Sequence, residues 1–111
     1  TGKRSQAKGR RAEIELAGLL RERGYDGRPG EPMSFGREPD MVGLDMIHCE
    51  IKRREGVDLS AALAQAARGA EFFGDGLPTV FHRGNRQRWR VTMELDHWLA
   101  LYDRQKTAKS G

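Results

Sequence analysis

Asp40 follows Pro39, and a short way downstream stands the triplet Glu50-Ile51-Lys52. A third acid, Glu13, lies upstream. Carboxylates are hard oxygen ligands, and Mg²⁺ is commonly held by one or two of them together with water and phosphate oxygens. A cation so held neutralises phosphate charge and acidifies a bound water. A fixed ammonium beside it stabilises the charge that builds up in a pentavalent transition state. These residue types therefore suit metal-assisted hydrolysis of a phosphodiester. An E-x-K triplet alone is common by chance. Its weight here comes from Asp40 and Glu13, each on an element able to reach the same point. The expected catalytic set is Glu13, Asp40, Glu50 and Lys52. The expected metal ligands are Asp40, Glu50, the Ile51 backbone carbonyl and Glu13, with Mg²⁺ as cofactor and Mn²⁺ able to substitute. The plainer alternatives are a salt-bridged Glu13, a turn residue at Asp40, and a solvated strand face at Glu50 and Lys52.

The elements that must position these groups follow from periodicity. Residues 6–23 read as a helix with Ala12, Leu16, Leu19 and Leu20 on its apolar stripe, and Gly24 stops it. At about 100° per residue Glu13 falls between Leu20 and Ala17, on the inward face, while Glu15 and Glu22 turn to the polar side. Residues 25–38 hold turn-forming Gly and Pro, with a short strand near Met33 to Phe35. A strand is expected at 40–42, and the clearest one at 46–52. There Ile47, Cys49 and Ile51 alternate with His48, Glu50 and Lys52, so the acid and the lysine share a face. A helix over 59–73 buries Leu59, Ala62, Leu63, Ala66, Ala70 and Phe73, with Asp58 or Ser60 as its cap. Strands at 77–82 and 88–92 flank a Gly84-Asn85 turn. A last helix over 94–104 is expected to bury Leu95, Trp98, Leu99 and Tyr102. The order is α-β-β-β-α-β-β-α, an α/β chain with a central mixed sheet flanked by helices.

A length of 111 residues fits one domain over 1–111, with 1–6 and 106–111 expected to be flexible. No run approaches the roughly 20 apolar residues of a membrane span, so no membrane partner is expected. The basic N-terminal stretch lacks the apolar core of a secretory signal. Cys49 is the one cysteine, too few for an internal disulfide or a zinc cluster. A cytoplasmic setting is expected, or a host's cytoplasm if the chain is viral. The net charge is +4, and its distribution says more than its size. Basic residues cluster at Lys3 to Arg11, at Lys52 to Arg54 and at Arg83 to Arg90. Separate basic clusters on a small domain suit a polyanion that spans its surface.

Pro39-Asp40 and Glu50-Ile51-Lys52, in this order, resemble the PD-(D/E)xK nuclease superfamily. Lys8-Gly9, Glu13, Leu16, Leu19-Leu20 and Arg23-Gly24-Tyr25 are similar to the opening of archaeal-type and phage Holliday junction resolvases, with Ser34-Phe35-Gly36 as the loop ahead of the PD. The resemblance covers about residues 8–54 well and the rest more loosely. It implies a restriction-endonuclease-like core and a structure-selective endonuclease acting on DNA, including branched DNA, in recombination or repair. It also implies a homodimer cutting two strands symmetrically. DNA contacts are expected at Lys8, Arg10, Arg11, Ser34, Arg37, Arg53, Arg54, Arg83, Arg86 and Arg88, with Gln65 and His48 as accessory residues. Pro29 and Pro32 replace the usual serine-glycine run, which sets the substrate loop apart from the pattern. The alternatives are a VRR-type or restriction-like nuclease acting on other DNA, and a DNA-binding module of the same fold that does not cut.

Overall fold

Strand alternation at residues 47–53 decides how the molecule is layered. The computed structural model describes the backbone of residues 2–30, 32–33, 36–37 and 39–110, and the side chains of 9–30 and 39–108. The chain runs α1 (Gly2–Glu22), β1 (Arg28–Pro29), β2 (Pro32–Met33), β3 (Gly36–Arg37), β4 (Met41–Val42), β5 (Ile47–Arg53), α2 (Leu59–Phe73), β6 (Leu77–Arg83), β7 (Arg90–Thr92) and α3 (Leu95–Ser110). The main sheet has five strands in the order β1-β4-β5-β6-β7, and β2 pairs with β3 alone. β5 and β6 are parallel, with Glu50 beside Val80 and Ile51 beside Phe81, while the other pairings are antiparallel. A mixed α/β sheet with helices is therefore what forms, as the periodicity predicts.

Paired residues share a face, so the register assigns each layer. Cys49, Phe81 and Met41 pack with Leu16 and Ala17 of α1, and Ile47, Ile51, Leu20 and Trp89 close round them. Val80 packs instead with Ala62 and Ala66 of α2. Glu50 and its neighbours His48 and Lys52 thus lie on the α2 side of the sheet. The small residues of α2 let the helix approach the strands closely. Asp58 caps it by accepting from the Ala61 N–H at 3.1 Å, an interaction that stabilises a helix by about 1 kcal/mol. Gly74 ends it in the left-handed conformation that glycine adopts without cost.

Several expectations shift. β1 pairs with β4 where only a loop is expected, and the loop strand near Met33 becomes the small β2–β3 hairpin. Helix extends to Gly2 and to Ser110, where loose ends are expected. The α1 stripe runs through Ala12, Leu16 and Ala17, and Leu19 is exposed. Leu19 lies about 100° from Leu20 on the wheel, at the margin of the stripe, and a two-layer contact covers one flank of a helix. Likewise Leu59 and Phe73 sit at the exposed ends of α2, and the core takes Ala62, Ala66 and Ala70. The largest departure is α3. Leu95, Trp98, Leu99 and Tyr102 are exposed and not buried, because α3 leaves the sheet after β7 instead of lying across it.

Candidate functional site

The β4–β5 pairing is brief: it aligns Met41 with Cys49 and goes no further. Just before β4, Asp40 turns its side chain to β5, and the Ile51 N–H donates to Asp40 Oδ2 at 2.8 Å. The carboxylate takes the ladder bond that a longer β4 would have made. In an extended strand a residue's N–H and C=O point to the same edge, so the Ile51 carbonyl lies on the Asp40 edge too. Asp40 and the Ile51 carbonyl, both expected as metal ligands, thus share one edge of β5.

Asp40 and Glu50 line one cavity of about 390 Å³, together with Pro39, His48, Gln65, Arg68, Gly69, Phe72 and Phe73. Glu50 is buried, and its Oε1 lies 3.6 Å from Lys52 Nζ, alternation having placed both on one face. Both accessory residues named from sequence, His48 and Gln65, are in the lining. His48 is 1% exposed and fixed from two sides. Its Nδ1 donates to Asp75 Oδ1 at 2.8 Å, since a carboxylate only accepts. Its ring stacks on Phe73 at 6.0 Å between centroids. Nε2 lies against Gly69 with no hydrogen-bond partner. A Cβ at residue 69 would sit 2.5 Å from that nitrogen, so the close approach requires glycine.

Glu13 is placed differently. It is largely covered and pairs with Arg10 at 3.5 Å, and Arg10 also donates to the Gly30 carbonyl at 2.8 Å. It belongs to α1, on the sheet face opposite Glu50, and is not in the cavity lining. Glu15, expected on the polar side, has a side chain 37% exposed and finds partners there. It accepts from Arg83 Nε at 2.8 Å and from Trp89 Nε1 at 2.9 Å. The Arg83 hydrogen bond, aided by Trp89, outweighs burial and holds its carboxyl below the usual range. Arg83 is therefore occupied within the protein, and Arg53 donates to Asn85 Oδ1 at 2.9 Å. Arg11, Arg54, Arg86 and Arg88 are exposed. The side chains of Lys8, Ser34 and Arg37, expected to contact DNA, lie outside the described residues. Cys49 is fully buried with its thiol pushed up to about 12, chiefly by burial, so it is a core residue and a poor nucleophile.

Sequence reading missed Arg68, Gly69, Phe72, Phe73 and Asp75. Helical spacing was the available signal: 65, 68, 69 and 72 share one face of α2. Among the described residues no three His, Cys, Asp or Glu side chains come close enough to form a cation cage by themselves. Two carboxylates completed by backbone, water and phosphate oxygens are a donor set that Mg²⁺ accepts. No protein-family model matches this chain, and comparisons with curated proteins and with solved structures give no match. Among the described residues no helix is long and apolar enough to cross a membrane.

Proposed function

We propose that this chain is a Mg²⁺-dependent DNA endonuclease with a restriction-endonuclease-like core, of the PD-(D/E)xK type and similar to Holliday junction resolvases. The observation that carries the reading is the meeting of Asp40 and Glu50 in one cavity, with Lys52 Nζ 3.6 Å from Glu50 Oε1. Asp40, Glu50 and the Ile51 carbonyl would hold the cation. Mg²⁺, when bound, neutralises phosphate charge and acidifies its water, and Mn²⁺ can take its place. Lys52 is not in the cavity lining, but its ion pair with Glu50 holds the ammonium beside a lining carboxylate, from where it would stabilise charge developing on the phosphate. Burial of Glu50 keeps bulk water from screening that pair. Glu13 stands in the opposite layer, paired with Arg10, so Asp40, Glu50 and Lys52 form the centre of the reading without it. Exposed Arg11, Arg54, Arg86 and Arg88 supply phosphate contacts, and the substrate is DNA, including branched DNA. The setting is recombination or repair in a cytoplasm, and the partner beyond DNA is a second copy of the chain.

The test is cleavage of four-way junction, duplex and single-stranded DNA with Mg²⁺ or Mn²⁺, against an EDTA control. Asp40→Asn and Lys52→Ala should each lower the rate by about 10²–10³, the scale of one stabilising group lost, while DNA binding persists. A wild-type protein that binds DNA yet cuts none of the three would leave a binding module of the same fold as the function.

A further inference from the structure

Phe72 is 83% exposed, on the rim of the cavity that holds Asp40 and Glu50. Burying such a ring would stabilise the fold, and the sequence forgoes that. The ring is nonetheless braced. Phe73 meets it edge to face at 5.0 Å and 87°, and Phe73 stacks on His48, which Asp75 clamps. A chain of contacts thus runs from Asp75 through His48 and Phe73 to an aromatic surface left open.

The same α2 face carries Arg68 one turn before Phe72 and Gln65 a turn before that, both lining the cavity. An open ring, a guanidinium and a carboxamide along one helix match the three parts of a nucleotide. The ring stacks a base, the guanidinium meets a phosphate, and the carboxamide hydrogen-bonds a base edge. In a duplex both faces of a base are covered by its neighbours, so only an unpaired or splayed base can stack on Phe72. A ~390 Å³ cleft falls within the ordinary range of ligand pockets. Resting on the nuclease reading for the phosphate beside Asp40 and Glu50, we infer that the Gln65–Arg68–Phe72 face is a subsite for an unpaired nucleotide. The preferred substrate is then DNA at a boundary between single and double strand.

The experiment uses the full chain in EDTA, so that binding is read without cleavage. The probes are a forked DNA with 2-aminopurine at the first unpaired position and a fully paired duplex of the same sequence. Wild type should bind the fork more tightly and quench the fluorophore. Phe72→Ala should lose the quench and weaken fork binding about 10-fold, the scale of one lost stack, with duplex affinity unchanged. Phe72→Trp should keep both effects. Phe72 is solvent-exposed, and circular dichroism checks that the variant is folded. Equal binding of the fork by wild type and Phe72→Ala overturns the subsite, as does an equal loss on fork and duplex. Cleavage in Mg²⁺ separates this from the nuclease reading. A protein that cuts DNA while Phe72→Ala changes nothing loses only the subsite. A protein that discriminates the fork through Phe72 but never cuts loses only the catalysis. Failure to bind either DNA ends both.

Discussion

Asp40 is used twice. One of its oxygens accepts the Ile51 N–H and replaces a missing rung of the ladder, yet the residue also lines the cavity with Glu50. A carboxylate has two oxygens and about four lone-pair sites, so the structural bond orients the group without exhausting it. Asp40, Glu50 and Lys52 were legible because each rule that placed them is local: Pro39 before a short strand, and period-two alternation within one strand. His48 was legible only as a neighbour of Glu50, since neither Asp75 nor Gly69 lies near it in sequence. Its packing gives a sharp expectation. Gly69→Ala drives a methyl to 2.5 Å from His48 Nε2, and Asp75 and Phe73 keep the imidazole from swinging aside. Overpacking of this kind costs about 1–3 kcal/mol. His48→Ala removes the obstacle, so the double variant should be less destabilised than the two single losses added together. Urea midpoints of the four proteins give the coupling, and strict additivity would show that His48 is free to move.

At the scale of elements, helical phase places Ala12 and Leu16 in the core and Glu15 towards the polar side, but it does not give the partners of Glu15. Arg83 and Trp89, on either side of the β6–β7 turn, reach α1 and bind Glu15 at that partly exposed position. Contacts made across 68 and 74 residues of chain leave no trace in a local window. Glu15 thereby ties α1 to the far strands, and Arg83 lies over the Trp89 ring at 5.8 Å. Because the Arg83 hydrogen bond lowers the Glu15 pKa in the native state, the unfolded chain binds the proton more readily. The stabilisation is then full above the ordinary value of 4.5 and is lost as pH falls through the lower native value. The carboxylate is partly exposed, which limits the effect to about 0.2–1 kcal/mol. Glu15→Gln should lower the urea midpoint at pH 7, and the gap from wild type should close as pH falls below 4.5. A gap that stays constant from pH 7 to pH 3 would mean that the hydrogen bonds matter and the charge does not.

For the whole molecule, the spacing of Leu95, Trp98, Leu99 and Tyr102 announces a face that needs cover but does not say what covers it. The fold leaves that face open, with Leu95 68% and Trp98 48% exposed. The homodimer proposed above would cover it with a second copy. Glu94 directly precedes α3, and Lys106 lies about three turns on, flanking the same aromatic face. A twofold axis near Ala100 would run two copies of α3 antiparallel. It would set Trp98 of each copy against Tyr102 of the other, with Glu94 against Lys106 on the flanks of that face. Such a surface is self-complementary, as a twofold interface requires. The Trp98 and Tyr102 rings already lie parallel at 5.1 Å and 11°, a rigid aromatic pair of the kind that anchors interfaces. A homodimer built this way also gives an endonuclease two sites for two strands. Light scattering should therefore report about twice the 12.5 kDa chain mass at micromolar concentration. Trp98→Glu puts a carboxylate at the centre of the seam and should return the protein to a single chain, with circular dichroism unchanged because the residue is exposed in the isolated subunit. Junction cleavage should then fall from paired cuts to single nicks. Glu94→Lys alone should weaken the dimer by like-charge contact with Lys106, and adding Lys106→Glu should restore it. A wild type that stays at one chain mass over this range, or a double variant that fails to recover, would remove α3 as the dimer contact.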